Sequence, residues 1–336
     1  MSIATRAAVL PGPRQAIEIR DIELGDPSPG HVLVRIEACG ICHSDLFVAG
    51  LPKLPLQPLT LGHEGIGVIE ALGAGYTEWT MGDRVGITFL GATCGECEYC
   101  RSGRERFCPK QKNTGYTVDG ALAGYMIAAG RQLTRVPEHL TAHEAAPLCC
   151  AGWTAYGALR EADLGAGQSV AIFGFGGLGH LALQYARNRG LRVIVADIAE
   201  SKLERARSQG AELAVLSEDG GRQIQKQAGG VDAAIVFTAS PVAIEQAFRA
   251  VKRNGSVVLV GLANSSFSLP ITDTILKGIR LRGSFLGTKQ DLQDVFRLAE
   301  SGAVKADTEQ YAIEETPALL DRLRNHELHG RAVIVF

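Results

Sequence analysis

The sequence predicts an α/β protein of two domains, one β-rich and one built on a doubly wound parallel sheet. Three observations predict it. The first third of the chain reads as short strands and turns. From Ser169 onward strands and helices alternate, and a glycine-rich turn, Gly174-Phe175-Gly176-Gly177-Leu178-Gly179, joins the first of these strands to a helix. Such alternation is the pattern of a parallel sheet covered by its own crossover helices. A length of 336 residues is ample for two cores.

In the first third, residues 31–39 alternate, with Val32, Val34 and Ile36 on one face after the turn Pro29-Gly30. Further strands are expected at 65–72 and 84–89, the latter after the turn Gly82-Asp83. A helix is expected over 146–161. Beyond it, strands are expected at 169–173, 192–196, 213–216, 233–237 and 256–260, with a sixth at 280–286. Helices fall between them at 177–188, 201–208 and 242–252, with a weaker one at 222–227. The tail carries a helix (290–301) and a last strand (332–336) that returns to the first domain. The domains are therefore expected as 1–150 with 285–336, and 151–284.

Composition excludes several classes of function. Hydrophobic residues make up 46% and charged residues 21%, an ordinary globular balance. A net charge of −2 provides no field for nucleic acid or an anionic membrane. No apolar run approaches the roughly 20 residues that span a bilayer. Residues 1–13 are interrupted by Pro11, Gly12 and Pro13 and lack the pattern of a secretory leader, so a cytoplasmic protein is expected.

The glycine turn has the context of a dinucleotide site. In a G-x-G-x-x-G turn, the first glycine (Gly174) permits the sharp bend and the second (Gly176) lets a diphosphate approach the backbone. The third (Gly179) allows close helix packing, and the helix start presents free N–H groups to the phosphates. Gly177 and Leu178 complete the turn. Asp197 ends the next strand, eighteen residues after Gly179, where a carboxylate accepts from ribose hydroxyls and repels a 2′-phosphate. NAD is expected rather than NADP.

Of eight cysteines, Cys94, Cys97, Cys100 and Cys108 fall within fifteen residues. That spacing suits one tetrahedral zinc with no open position, hence a structural ion; an iron–sulfur cluster is the competing reading. Cys42, His63 and Cys150 are dispersed. Two thiolates and an imidazole form a catalytic zinc set that leaves a fourth position open. Each also has a plainer reading: Cys39 and Cys42 as a redox pair, His63 as a core histidine, Cys150 as a small buried apolar residue.

Four segments occur in an order that resembles the zinc-containing medium-chain alcohol dehydrogenases. They are Cys39-Gly40-Ile41-Cys42-His43-Ser44-Asp45, Gly62-His63-Glu64-Gly65-Ile66-Gly67, the four-cysteine loop and the glycine turn, and the resemblance extends over essentially the whole chain. The resemblance implies a GroES-like β-rich catalytic domain and a Rossmann domain. It also implies two zinc ions per chain, NAD, an alcohol or aldehyde substrate, and a homodimer or homotetramer. It assigns Cys42, His63 and Cys150 to the catalytic zinc and leaves out Cys39 and Cys149. Glu64 is implied beside that ion, Asp45 as the support of His63, and Ser44 as the hydroxyl that takes the alcohol proton. His43 and Arg331 are implied at the cofactor diphosphate, Lys202 at the adenosine ribose and Thr154 at the nicotinamide. Phe47 departs from the pattern, standing where many members carry a proton-passing histidine. A polyol dehydrogenase often replaces the third thiolate with a carboxylate, against Cys150. An NADPH-linked aldehyde reductase is disfavoured by Asp197, and a non-enzymatic relative by the full set of ligands. Residues 275–286 are expected as an edge strand suited to pairing between subunits; Phe89, Leu90 and Trp153 are expected to line the substrate pocket.

Overall fold

A computed structural model describes residues 2–262, 265–328 and 330–336. The chain separates into two compact units, Met1–Cys150 with Thr288–Phe336, and Ala151–Gly287. Among the described residues no helix is long and apolar enough to cross a membrane.

The first unit is β-rich. Among the described residues, its larger sheet runs in the order Thr134–Arg135, Arg84–Ile87, Gly65–Leu72, His31–Gly40, Arg331–Val335, Thr308–Tyr311, and Tyr125–Ala129 also pairs with His31–Gly40. A smaller sheet joins Glu18–Leu24, Ile3–Leu10 and Leu59–Thr60. Val32, Val34, Ile36, Ile69, Val85 and Ile334 are buried in one core, as the two-residue period requires. The last strand pairs antiparallel with His31–Gly40, Val333 opposite Gly40 and Ile334 opposite Cys39. The tail thereby braces the backbone that leads into Cys42. Two tail elements carried no sequence signal. The strand Thr308–Tyr311 is polar and largely open to solvent, and the helix Thr316–Arg324 is short.

The second unit holds the doubly wound sheet. Among the described residues it has six parallel strands in the order Leu213–Leu216, Arg192–Asp197, Ser169–Phe173, Val231–Val236, Val251–Leu259, Arg280–Gly283. Ser169–Phe173 is buried throughout, as a central strand covered on both faces must be. Strand order reverses beside it, and ligands of such sheets bind where that reversal opens a crevice at the carboxyl ends of the strands. The glycine turn begins there, directly after Phe173.

Three local expectations need correction. The helix expected over 146–161 is broken: a 3-10 turn spans Ala146–Cys149 and an α-helix spans Ala151–Glu161, with Cys150 between them at φ −129° and ψ −70°. Pro147 offers no N–H to continue an α-helix, and the interruption falls on the cysteine whose direction matters. The strand expected over 275–286 is confined to Arg280–Gly283; Ile271–Lys277 is a helix, stopped by Gly278 at φ +62°. The strand expected over 84–89 ends at Ile87.

Asp232 clasps the amino ends of the central strands. Its Oδ2 accepts from the Ser169 amide at 2.8 Å and hydroxyl at 2.6 Å, and Lys252 Nζ lies 3.3 Å away. Asp232→Ala leaves the nearly buried Ser169 donors unpaired, a loss of about 1–3 kcal/mol. Chemical denaturation should register that loss while zinc content stays unchanged; an unmoved midpoint would show that the clasp does nothing for stability.

Candidate metal and dinucleotide sites

The loop after Gly40 turns Cys42 inward as the N-cap of a short helix, His43–Ala49. Asp45, in the first turn of that helix, is almost fully buried. Its Oδ2 accepts from the Cys42 amide at 2.8 Å, and its Oδ1 lies 3.2 Å from His63 Nδ1 and 3.3 Å from the Gly62 amide. One carboxylate thus ties together two segments of the chain that each carry a candidate ligand. Gly62 makes the bend into His63 at φ +92°, and a Cβ there would stand 2.6 Å from Leu122 and 2.9 Å from Cys39 Sγ. Only glycine fits.

Cys42, His63, Glu64 and Cys150 converge so that their ligand atoms lie within 4.8 Å of one another, all buried. His63 Nε2 is buried with no hydrogen-bond partner, an expensive state for a protein interior unless something binds there. Cys42 Sγ and Cys150 Sγ are 4.0 Å apart; two sulfurs on one tetrahedral zinc stand about 3.8 Å apart, given Zn–S bonds of roughly 2.3 Å. The donor set and the orphaned nitrogen both fit zinc. Cys39 and Cys149 lie outside the group, their thiols directed at the Gly40 and Gly65 carbonyls. Ser44 Oγ lies 3.7 Å from Cys42 Sγ. Phe89 presents its ring to His63 edge-on, centroids 5.4 Å apart.

A hydrogen bond from Cys150 holds the Cys42 thiol well below the ordinary range against burial, helped by His63 and Arg331. Cys150 is pushed well above it by the same bond and by burial. A dication bound to both sulfurs would take them as thiolates and release their protons. Burial opposes the protonation of His63, but Asp45 and Cys42 carry it well above the usual histidine value.

Glu64 has a partner that no sequence signal indicated. Both its oxygens accept from Arg331 Nη2, at 2.6 and 2.7 Å, and the same nitrogen reaches the Ile41 carbonyl at 2.9 Å. Burial drives the Glu64 carboxyl up, to about 8, while Arg331 pulls it down. At this distance the pair is a charge-assisted bond between buried groups. The residues are 267 positions apart. Arg331, expected at the cofactor diphosphate, is therefore largely buried with that Nη2 committed to Glu64 and Ile41. Gly40 is the counterpart of this packing, since a Cβ there would lie 2.0 Å from Glu64 Oε2.

The second cysteine group closes on itself. Cys94 Sγ lies 3.5 Å from Cys108 Sγ and 3.9 Å from Cys100 Sγ, and Cys97 Sγ lies 3.5 Å from Cys100 Sγ. Four sulfurs at these separations fit one tetrahedral ion with no vacant position. Backbone N–H groups of Glu96 and Cys97 draw the Cys94 thiol down to about 6.

In the second unit each glycine of the turn shows its own constraint. Gly174 sits at φ +95°, a Cβ on Gly176 would meet nothing within 4 Å, and a Cβ on Gly179 would strike the Gly174 carbonyl at 2.1 Å. A sharp bend, an open approach and a tight packing contact are what a diphosphate-binding turn needs. Gly177 and Leu178 form the first turn of the helix Gly177–Asn188. Asp197 Oδ2 accepts from the Phe175 amide at 2.6 Å and Oδ1 from the Ala199 amide at 3.1 Å, with Lys202 Nζ at 3.7 Å. A carboxylate offers about four acceptor positions, so capacity for a ribose remains. Thr154 Oγ1 is buried with no partner. His43 is exposed in the first unit, its ring stacked on His326 with centroids 6.3 Å apart.

Known proteins resemble this chain over nearly its whole length. Residues 28–138 match the profile described as the alcohol dehydrogenase GroES-like domain, and residues 177–301 that of the zinc-binding dehydrogenases. An alcohol dehydrogenase of Geobacillus stearothermophilus is 43% identical, covering 98% of this chain and 99% of its own. One from Rhizobium meliloti is 40% identical, covering 98% of each. Among solved structures, the alcohol dehydrogenase of the archaeon Aeropyrum pernix superposes with a TM-score of 0.90 at 31% identity, covering 98% of this chain and 100% of its own. Acetophenone reductase of Geotrichum candidum, in complex with NAD, superposes at 0.89 with 29% identity, covering 99% and 97%. On its motifs, its fold and these relatives, this chain belongs to the zinc-containing medium-chain alcohol dehydrogenase family.

Proposed function

We propose that the protein is a zinc-dependent, NAD-linked alcohol dehydrogenase that interconverts alcohols with aldehydes or ketones. The observation that carries this reading is the convergence of Cys42, Cys150 and the partnerless Nε2 of His63 on one buried point. These three are the catalytic zinc ligands, and Cys94, Cys97, Cys100 and Cys108 hold a structural zinc. Zinc supplies Lewis acidity that lowers the pKa of a hydroxyl and polarises a carbonyl, and NAD supplies the hydride acceptor.

The chain's own residues do the rest. Asp45 takes the His63 Nδ1 proton in a hydrogen bond and so leaves Nε2 with its lone pair for the metal. Ser44 receives the proton from the substrate hydroxyl. Glu64 stands beside the ligands, held back by Arg331, and serves as an occasional ligand or a charge partner. Gly174, Gly176, Gly177, Leu178 and Gly179 form the cradle of the diphosphate. Asp197 and Lys202 read the adenosine ribose, and Thr154 meets the nicotinamide. Phe89, whose ring lies against His63, supplies an apolar wall for the substrate. The third thiolate, Cys150, separates this site from the polyol dehydrogenase pattern, and Asp197 separates it from NADPH-linked reductases.

The edge of the parallel sheet favours a homodimer or homotetramer. Arg280–Gly283 has a neighbouring strand on one side among the described residues, and Ile271, Ile275 and Leu276 are exposed around it. An unpaired strand with apolar surroundings is a template for a second copy. Eight free cysteines, six of them metal ligands in this reading, suit the reducing cytoplasm.

Metal analysis and NADH absorbance with a panel of simple alcohols test the proposal: two zincs per chain and turnover are expected, and zinc-replete enzyme with no turnover overturns it. Cys150→Ser should abolish turnover and remove one zinc, while Cys149→Ser keeps both ions and most activity; the opposite pattern would reassign the thiolate.

NAD should exceed NADP in kcat/KM by a large factor, with Asp197→Ser narrowing the gap, since the carboxylate repels a 2′-phosphate. Parity in the wild type contradicts that role. Phe47, exposed on the helix His43–Ala49, cannot carry a proton. Phe47→His should therefore raise the rate of alcohol oxidation near neutral pH, where a histidine of pKa about 6.5 cycles. An unchanged kcat–pH profile, insensitive to added buffer, would show that proton exit does not depend on this position.

A further inference from the structure

We infer that His180 is a positioning residue for the dinucleotide site, joining the glycine turn to the helix that reads the adenosine ribose. The inference rests on the proposal that this unit binds NAD. His180 follows Gly179 directly and is only 8% exposed, although a histidine in the first turn of such a helix is free to face solvent or the phosphates. It does neither. Its Nδ1 lies 2.9 Å from Gln209 Oε1 and its Nε2 lies 3.1 Å from Gln184 Nε2. The amide oxygen accepts and the amide nitrogen donates, so the ring carries its proton on Nδ1 and presents a lone pair at Nε2. Arg205 Nη2 lies 3.5 Å from the same Nδ1.

The residues that hold His180 belong to the neighbouring helix, Glu200–Ser208, and its cap. Gln209 is the C-cap of that helix, and its carbonyl accepts from Arg187 Nη1 at 2.7 Å, one helix receiving donors from the other at two points. The opposite end of the same helix carries Lys202 and begins at Ala199, both bound to Asp197. On its other side the His180 ring meets Phe175 edge-on, centroids 6.3 Å apart and planes at 82°. Phe175 is the second residue of the glycine turn, nearly buried, and its amide donates to Asp197 Oδ2 at 2.6 Å. The contacts form a closed circuit. Asp197 holds the turn and the start of the ribose-reading helix, while His180 holds the turn and the end of that helix. Without His180, Asp197 and the Arg187–Gln209 bond are left to set the distance between the diphosphate cradle and the ribose acceptor, and a misplacement of a few tenths of an ångström weakens bonds made to both at once.

The test uses full-length, zinc-loaded enzyme with NADH and ADP-ribose, which lacks the nicotinamide, each titrated by calorimetry. His180→Leu should weaken both ligands about tenfold and to the same degree, the cost of one hydrogen bond whose half-buried partner is left unpaired. His180→Asn, whose side-chain amide places a donor where Nδ1 stood, should keep most of the affinity. Gln209→Leu should match His180→Leu, and the double variant should lose no more than either alone. Thermal unfolding without ligand, run on each variant, separates a positional effect from simple destabilisation. A fall in the unfolding midpoint with unchanged dissociation constants overturns the inference, as does an asparagine variant as weak as the leucine one. Additive losses in the double variant also overturn it, since His180 and Gln209 would then act separately. Wild-type enzyme that binds neither NADH nor ADP-ribose overturns the cofactor reading itself, and the inference with it.

Discussion

The metal centre depends on the buried carboxylate of Asp45. It accepts from the Cys42 amide, the Gly62 amide and His63 Nδ1. Two of these donors belong to ligand residues from different strands' ends, so a single group sets the distance between a thiolate and an imidazole. Charge-assisted bonds to a buried carboxylate are worth about 1.5–3 kcal/mol each. The arrangement also decides chemistry. With Nδ1 turned to Asp45, His63 has one nitrogen left, and that nitrogen is the orphan beside Cys42 and Cys150.

Around that carboxylate the first unit is assembled from both ends of the chain. The last strand, Arg331–Val335, pairs with the strand that delivers Cys42 and brings Arg331 onto Glu64. Charge balance follows from this. Two cysteine sulfurs and two carboxylates meet in a volume that excludes water, and Arg331 is the cation placed against the one carboxylate that a histidine does not satisfy. Burying a pair of opposite charges is costly unless its hydrogen bonds are complete. Here the guanidinium has Glu64 and the Ile41 carbonyl.

The second unit uses a carboxylate in a parallel way. Asp197 binds the glycine turn through Phe175 and the next helix through Ala199 and Lys202. The residue proposed to read a ribose also holds the glycine turn in place. Its buried position at a strand end, rather than its charge alone, makes it a rigid acceptor.

What could be read directly from the amino-acid order was local. The four-cysteine loop closes within fifteen residues, so its spacing alone limits what it can enclose. The strand–turn–helix around Gly174 announces itself through glycines whose positions answer to φ, clearance and packing. The parallel strands were legible because burial on both faces leaves unbroken apolar runs. The dispersed centre was legible only through resemblance. Cys42 and Cys150 are 108 positions apart and each, taken alone, is an ordinary buried thiol. Tertiary structure decided which cysteine of each close pair joins His63 and Glu64 in the buried cluster, by interrupting the backbone at Cys150 and capping a helix at Cys42. It also supplied the partners of Glu64 and His180. The physical reason is one of range: local motifs are limited by the reach of the chain, whereas contacts across hundreds of residues exist only after burial has removed water and forced each polar group to find a partner in the fold.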